Sequence, residues 1–339
     1  MNFIEKIPGI NNPSLFWMWF IPASLLTFLF SYKMVKYAEV IIEKTRLGGA
    51  FIGGTLISAS TSLTELSTEI IQARNGTPAI GLADDIGANF FSTFAIAIAS
   101  IIFFRQMFIK KLGTWTKFSI FFSMILSIIV AIVLGIGDDF SIGVEGKFVI
   151  GILPFIFFIT YLIYVFLSYK YGEEDKSEKK ILNISIKKGI FGFIIYSLLL
   201  LISAFFLNII VDGMKDTYKL KSESAGGILL SMTTAMPEIV SLFVLIINKQ
   251  PIAAIGSIIG SQIFNLSLIF YGDMAYTGGP IVKSSGKVWE IAIATSLMLM
   301  FLGIFAIISK KIKNKFLYIL FPAIIALIYI IGWILILIL

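Results

Sequence analysis

The sequence predicts an all-α integral membrane protein with ten transmembrane helices, arranged as two inverted-topology five-helix repeats. Three observations support this fold class. First, 58% of the 339 residues are hydrophobic and only 14% are charged, and the mean hydropathy is +0.96, far from the balance of a soluble domain. Second, the chain contains ten long apolar runs. Third, a forty-residue segment of the first half recurs in the second half.

Apolar runs of roughly 18 to 25 residues are typical of membrane-spanning helices. The one long polar interruption, residues 169–188, carries mixed charge and is predicted to be a linker. It separates a first five-helix half, residues 1–168, from a second, residues 189–339. The predicted spans are 14–32, 48–73, 77–104, 117–137, 147–168, 189–211, 224–247, 251–272, 288–309 and 316–338.

The basic residues indicate how the chain is oriented. Most of the 27 Lys and Arg lie in the loops after the odd-numbered spans, and by the positive-inside rule these loops are cytoplasmic. We therefore expect a multi-pass protein of the cell membrane, a monomer in the lipid bilayer, with both termini extracellular and the linker cytoplasmic. The net charge of +7 is explained by these loops, so no nucleic-acid partner is expected.

The composition also limits the chemistry. With no cysteine and no histidine, the chain has no disulfides, thiolate ligands or imidazole groups. Any cation site must therefore be built from oxygen atoms. The sequence contains neither a nucleophile and base arrangement nor a nucleotide loop, so we expect no enzyme activity and no bound cofactor.

The internal repeat matches residues 53–92 to residues 226–265 without a gap, at an offset of 173. Eleven of the forty positions are identical, and the shared Gly, Ser, Thr, Glu and Pro carry the signal, because apolar helices share Leu and Ile by composition alone. Five predicted spans separate the copies. Since five is odd, the second copy enters the membrane from the opposite side, as in the inverted repeats of secondary transporters.

Each copy places oxygen-bearing side chains on one helix face, with a glutamate, Glu65 or Glu238, at its centre. Burying an uncompensated charge in a membrane costs at least ~2.5 kcal/mol. Two facing glutamates must therefore be neutralised by a cation or by protons. The helix faces are Ser58, Thr61, Glu65 and Thr68 in one copy and Ser231, Thr234, Glu238 and Ser241 in the other, followed in the next helices by Asp84, Asn89 and Ser92, and by Ser257, Ser261 and Asn265.

Calcium fits such a site, because it accepts 6 to 8 oxygen ligands in tolerant geometry. Pro237 interrupts the helix directly before Glu238 and frees backbone carbonyls that can turn to an ion. Sodium accepts the same oxygen ligands. A site that holds either ion, but not both together, would support antiport.

The paired segments GGTLISASTSLTE with LADDIGANFFS, and GGILLSMTTAMPE with IGSIIGSQIFN, resemble the two α-repeats of the Ca2+/cation antiporter superfamily, which includes the sodium/calcium exchangers. The family pattern is roughly G(T/S)S-x-PE in one helix and GN-x-x-GS-x-x-x-N/D in the next. The resemblance implies that Glu65 and Glu238 bind Ca2+ and exchange it for Na+ or H+, helped by Thr61 and Thr234. It also implies that the first and sixth helices move against the remaining bundle.

The sequence departs from the family pattern at several positions. A side-chain oxygen is lost at Ala235, where the first copy keeps Ser62, and at Ala88, where the second copy keeps Ser261. Thr64 stands where the family has proline. The candidate ion ligands are Glu65, Glu238, Thr61, Thr234, Ser62, Ser92, Ser261, Asn265 and Asp84.

We thus expect an antiporter that exchanges Ca2+ for Na+ by alternating access. The alternative is H+-coupled exchange of Ca2+ or another divalent ion, in which the same glutamates and Asp84 titrate. A channel or a membrane sensor that only binds the ion is a different class. Glu69 has no counterpart, since the equivalent residue is Leu242; it either lies at the ion entrance or pairs with Arg74. The role of Asp85 is open.

Overall fold

The computed structural model describes residues 13–45, 49–137, 141–144, 148–173, 184–218 and 225–338. These residues are largely helical. In chain order the helices are α1 (Pro13–Lys44), a broken α2 (Gly49–Phe51, Ile52–Ile57, Ser58–Thr61 and Leu63–Arg74), α3 (Pro78–Ile102), α4 (Thr114–Ile136), α5 (Ile152–Tyr171), α6 (Ile186–Tyr218), a broken α7 (Ala225–Leu230, Ser231–Thr234 and Met236–Ile247), α8 (Pro251–Ala275), α9 (Val288–Ile308) and α10 (Lys315–Ile338).

One antiparallel hairpin interrupts the helical architecture of the described residues. Strand β1 (Ser141–Val144) pairs with β2 (Phe148–Gly151), so that Ser141 lies opposite Gly151. The predicted span 147–168 therefore begins too early, because residues that would have opened it pair as a strand and α5 starts only at Ile152. Apart from these eight residues the described elements are helices, so the predicted all-α fold class is confirmed.

Two other boundaries differ from the sequence prediction. Helix α1 continues well beyond residue 32, to Lys44, through a stretch where apolar and charged residues alternate. The predicted linker 169–188 is shortened at both ends, since α5 reaches Tyr171 and α6 begins at Ile186. Residues 174–183, most of that linker, lie outside the described residues.

Helices α2 and α7 are broken at equivalent places. Each contains a π-helical segment with a glycine pair, Ile52–Ile57 or Ala225–Leu230, and each is interrupted at one residue, Ser62 or Ala235. In α7 the two parts meet at a bend of 44°. Glu65 and Glu238 fall in the first turn of the part that follows the break. The N-terminal end of a helix favours negative charge, so both carboxylates occupy the position where a short helix stabilises them.

The repeat found in the sequence is also a repeat of secondary structure. Every boundary from the π-helical segment to the end of the next helix recurs at the same offset, including those of α3 (Pro78–Ile102) and α8 (Pro251–Ala275). The turn between the helices is shared as well: Gly76 has φ +78°, and its equivalent Lys249 has φ +62°. Glycine tolerates this left-handed backbone, whereas lysine rarely adopts it.

Within the described residues, eight helices are long and apolar enough to cross a membrane, and α7 makes nine if its bent pair is one span. Helix α2 is not among them; it is divided into short pieces and carries Glu65, Glu69 and Arg74. The predicted count of ten crossings stays a prediction.

Burial places α8 and α3 at the centre of the molecule. The most apolar stretch of α8 is buried along its whole length, and that of α3 along most of its length, whereas the corresponding stretches of α1 and α10 are mostly exposed. The broken helices pack against both central helices, and α1 packs along α6. The first turns that carry Glu65 and Glu238 are thereby held against the core.

Candidate cation site

The broken helix of each repeat meets the central helix of the other repeat at glycines. A Cβ atom added at Gly53 would clash with the carbonyl group of Ala253, and one added at Gly226 would clash with that of Ile80. These two contacts are equivalent under the offset of 173. The glycines shared by the two copies are therefore explained by close backbone packing between the repeats.

A second glycine pair repeats the pattern one layer further. A Cβ atom at Gly87 would lie 2.7 Å from the carbonyl oxygen of Gly227, and one at Gly260 would clash with the carbonyl group of Gly54. Each contact again has its equivalent in the other half. The two repeats therefore bind each other through the same surface, as the subunits of a two-fold dimer do.

The amides of Asn89 and Gln262, which are equivalent residues, join α3 to α8. Asn89 Nδ2 donates to the Gln262 carbonyl oxygen at 3.1 Å, and Gln262 Nε2 donates to the Asn89 carbonyl oxygen at 3.3 Å. Two candidate ligands attach to this pair: Gln262 Nε2 lies 3.3 Å from Ser92 Oγ, and Asn265 Nδ2 donates to Asn89 Oδ1 at 3.0 Å. Gln262 was not among the predicted site residues. Its equivalence to Asn89 in the repeat is the signal that could have identified it.

Both central glutamates are fully buried, and each is half-satisfied. Glu65 accepts a hydrogen bond from Thr64 Oγ1 at 2.5 Å through Oε2, and Glu238 accepts one from Ser62 Oγ at 3.0 Å through Oε1. The other oxygen of each carboxylate has no hydrogen-bond partner in the part of the chain that the structure describes. Buried polar atoms are normally paired, so these two oxygens are the candidates for binding an ion.

The hydroxyls of Thr61 and Thr234 lie beside this pair. Thr61 Oγ1 is 2.9 Å from the carbonyl oxygen of Ser58, and Thr234 Oγ1 is 3.1 Å from that of Leu230. A hydroxyl has a single proton, and once that proton is donated, to a carbonyl or to a carboxylate, its lone pairs can bind a cation. Both threonines can therefore act as oxygen ligands without a change of rotamer.

The structure shows how two missing oxygens are replaced. Thr61 Oγ1 lies 3.3 Å from Ser261 Oγ, but the equivalent pair is Thr234 and Ala88, and Ala88 has no hydroxyl. Instead, Thr234 Oγ1 donates to Asp84 Oδ1 at 2.8 Å. Asp84 precedes Ala88 by one helical turn and so lies on the same face, which lets its carboxylate supply the oxygen that Ala88 lacks.

Thr64 replaces the oxygen that is lost at Ala235. Ser62 reaches across to Glu238, and Ala235 cannot do the same for Glu65. The hydroxyl of Thr64, at the position where the second copy has Pro237, contacts Glu65 directly and lies 3.2 Å from the carbonyl oxygen of Thr234. Each glutamate thus keeps one hydroxyl partner, from the opposite repeat for Glu238 and from its own for Glu65.

Glu69 does not pair with Arg74. Its side chain is fully buried, both of its carboxylate oxygens lack a hydrogen-bond partner among the described residues, and Arg74 is exposed. The predicted pairing with Arg74 is therefore absent. Asp85 is likewise fully buried, with both oxygens unpaired in the described ranges.

No three acidic side chains in the described part of the chain converge into a ready-made metal site. An ion between Glu65 and Glu238 would need hydroxyl and carbonyl oxygens as further ligands, as the sequence predicts. The structure brings Glu238 to Ser62, Thr61 to Ser261, Thr234 to Asp84, and Ser92 with Asn265 to the amide pair. Their role as ion ligands stays a prediction.

Comparison with known proteins identifies the family. A model of the sodium/calcium exchanger protein family matches residues 15–170 and 188–339. Sodium/potassium/calcium exchanger 1 of Gallus gallus is 26% identical over 139 residues, which are 38% of this chain and 21% of that protein. Sodium/potassium/calcium exchanger 2 of Homo sapiens is 26% identical over 137 residues, again 38% of this chain and 21% of that protein. The matched region therefore spans about a fifth of the length of these relatives.

The fold is shared with solved structures of the sodium-calcium exchanger NCX_Mj. The structure soaked with 100 mM Na+ and 10 mM Sr2+ superposes with a TM-score of 0.62 at 19% identity, covering 94% of this chain and 98% of that one. At this identity the likeness is one of fold. The family model, in contrast, covers both halves of the chain and confirms the resemblance seen in the repeats. The chain belongs to the sodium/calcium exchanger protein family.

Proposed function

We propose that the protein is a secondary antiporter that exchanges Ca2+ for Na+ by alternating access, with the ion held between α2 and α7. The observation that carries this proposal is the pair of fully buried carboxylates, Glu65 and Glu238, each with one oxygen unpaired in the described residues. They lie in equivalent first turns of two broken helices. Membrane transporters commonly bind ions at such broken helices.

The charges around the site require a mobile cation. Among the described residues, every fully buried ionisable side chain of the Asp, Glu, Lys and Arg classes is acidic. No lysine or arginine in that part of the chain is available to neutralise Glu65 and Glu238 from within the core. An uncompensated buried charge is costly, so a cation from outside the protein is the natural partner.

The oxygen atoms near the two glutamates suit calcium. Up to four carboxylate oxygens, the hydroxyls of Thr61 and Thr234 and the carbonyls at the helix breaks supply the 6 to 8 ligands that Ca2+ prefers. We place Na+ in the same region, where Ser62, Ser92, Ser261, Asn265 and Asp84 add oxygen ligands. Because the ligands overlap, Ca2+ and Na+ exclude one another, and each drives the release of the other.

The reciprocal contacts support an inverted repeat with ten crossings. Along α3 and α8, Asn89 contacts Asn265 whereas Thr93 contacts Gln262, so the order of contacts runs in opposite directions. Equivalent helices that cross antiparallel are expected if the two halves have opposite orientations in the membrane. We propose that α2 is the tenth span, that both termini are extracellular, that the linker is cytoplasmic and that the protein functions as a monomer.

Helices α1 and α6 are the candidates for the moving part. They pack along each other and touch the broken helices at two polar contacts. Ser31 Oγ of α1 donates to the Pro237 carbonyl oxygen at 2.9 Å, and Asn208 Nδ2 of α6 donates to Thr68 Oγ1 at 2.8 Å. Each contact lies within one turn of a central glutamate. A shift of the broken helices on ion binding would therefore be transmitted to α1 and α6.

H+-coupled transport of Ca2+ or another divalent ion is the second candidate. It is favoured by the further buried acids Asp84 and Asp85, of which three oxygens are unpaired in the described ranges. In that cycle protons, and not Na+, would replace the divalent ion on the carboxylates.

Uptake of Ca2+ into vesicles that contain the purified protein tests the proposal. Uptake should follow an imposed Na+ gradient and should be absent with Glu238→Gln, which keeps the size of the side chain but removes its charge. Uptake driven by a pH gradient alone would replace the proposal with the proton-coupled one. Equal uptake by wild type and Glu238→Gln would overturn the central site.

A further inference from the structure

A second group of acids lies in the first repeat only, one turn and more away from the central glutamates. Glu69 on α2 and Asp85 on α3 are both fully buried, and their four carboxylate oxygens have no hydrogen-bond partner in the residues that the structure describes. Glu69 packs against Gly81, and Asp85 follows Gly81 by one turn on the same face of α3. No residue of the central site satisfies either of them.

The backbone leaves room for Glu69 where two helices carry glycine. Its carboxylate lies against Gly81 of α3 and Gly272 of α8, so closely that a Cβ atom on either glycine would clash with it. Asp273, which follows Gly272, is already satisfied, because it accepts hydrogen bonds from the backbone N–H groups of Gly151 at 2.5 Å and Ile281 at 2.9 Å. Glu69 and Asp85 are thus the two acids left without partners.

The second repeat shows that the fold does not require these acids. The equivalents of Glu69 and Asp85 are Leu242 and Ile258, which are buried. The equivalents of Gly81 and Gly272 are Ala254 and Ala99. The first repeat therefore has two carboxylates where the second has apolar side chains. The two glycines that accommodate Glu69, one in each half, both have alanine as their equivalent. Such a coordinated difference points to a ligand and not to packing.

We propose that Glu69 and Asp85 bind a second divalent cation of the Ca2+ class, between α2, α3 and α8. Two carboxylates neutralise one divalent ion, and their four free oxygens, completed by water, suit its preference for hard ligands. The second site would bind the ion whether or not the chain transports Ca2+.

The decisive variants copy the second repeat. Glu69→Leu and Asp85→Ile introduce the residues found at positions 242 and 258, so the fold has already accepted them in the other half. Calorimetric titration of the purified full chain with Ca2+, in buffer without Na+, should give about two ions bound per wild-type chain and about one for either variant. Glu238→Gln should lose the other ion and keep the one bound at Glu69.

Gly272→Ala supplies the matched control. In the wild type, the added methyl group displaces the Glu69 carboxylate and should remove the second ion. In a Glu69→Leu background, Gly272→Ala reproduces the pair Leu242 and Ala99 found at the equivalent positions. There it should leave Ca2+ binding and thermal stability as they are in Glu69→Leu alone.

Two outcomes would overturn the second site. One is equal Ca2+ binding by wild type and both variants that copy the second repeat. The other is Gly272→Ala binding as many ions as the wild type. The outcome for the central site is separate, since it is measured as Ca2+ binding by Glu238→Gln, a variant that keeps Glu69 and Asp85.

Discussion

The two repeats share their backbone but not their acids. Element boundaries, helix breaks and inter-repeat glycine contacts coincide at one offset. In contrast, Glu69, Asp84 and Asp85 of the first repeat have Leu242, Ser257 and Ile258 as equivalents. The comparison separates two kinds of residue. Those that the shared architecture uses occur at equivalent positions in both repeats, whereas the acids that we propose to adapt the ion pathway occur in one repeat only. Glu65 and Glu238 appear twice, and so belong to the common core of the site.

The largest expected effect tests that common core. Glu65→Gln and Glu238→Gln should each weaken Ca2+ binding by about 3 kcal/mol, or roughly 100-fold, because each removes one of two charges that hold the ion. Titration with Ca2+ at fixed pH measures the loss. If one variant binds Ca2+ as tightly as the wild type, the two repeats do not contribute equally and the central-site assignment is wrong.

The next effect concerns the contacts between the repeats. Gly260→Ala and Gly87→Ala should each destabilise the protein by about 1–3 kcal/mol, because the added methyl group meets backbone that cannot move aside. Thermal unfolding in detergent measures the change. Gly256→Ala is the control, since its Cβ would lie 3.3 Å from the nearest atom and its equivalent is Ala83; it should unfold within about 0.5 kcal/mol of the wild type.

A smaller effect tests the replacement of one oxygen by another. Asp84→Ser removes the partner of Thr234 and should weaken Ca2+ binding by about 1–2 kcal/mol. Adding Ala88→Ser gives the first repeat the serines that the second has at 257 and 261, and should restore part of the loss. An Asp84→Ser variant with unchanged affinity and unchanged Na+ competition would reduce Asp84 to a structural residue.

The smallest effect lies in the turn between the helices. Lys249 has the left-handed backbone that Gly76 adopts in the other repeat. Lys249→Gly should raise the free energy of unfolding by about 0.5–1 kcal/mol, because glycine adopts this conformation without steric cost. Gly76→Lys should lower it by a similar amount. A thermal melt that moves in the opposite direction for either variant would show that side-chain contacts at this turn outweigh the backbone.

Much of this architecture could be predicted from the sequence. The repeat offset, the two glutamates and the break before Glu238 were all visible, since buried acids and shared glycines stand out in an apolar chain. The family resemblance followed from the same residues and is confirmed by the family model. Proline predicts a helix break, because it has no N–H group to donate to the preceding turn.

Other features depend on contacts that no local pattern encodes. Residues that were predicted to begin the fifth span form a strand of the hairpin before α5. Hydropathy alone does not reveal this, because strand pairing depends on a partner segment. The pairing of Thr234 with Asp84, and the position of Glu69 between two glycines, follow from how α2 and α7 cross α3 and α8. Glu69 was expected near Arg74 or at an entrance, because sequence distance was the only guide.

The unequal acids have a consequence for the proposed cycle. In a transporter made of two inverted halves, the outward-open and inward-open states are related by exchanging the roles of the halves. Perfect equivalence would make the two states equally populated. A carboxylate group that exists in one half only, such as Glu69 with Asp85, gives them different energies, and a preference of 1.4 kcal/mol is already a tenfold bias. The residues that the two repeats do not share would then determine whether the protein without a gradient prefers the outward-open or the inward-open state.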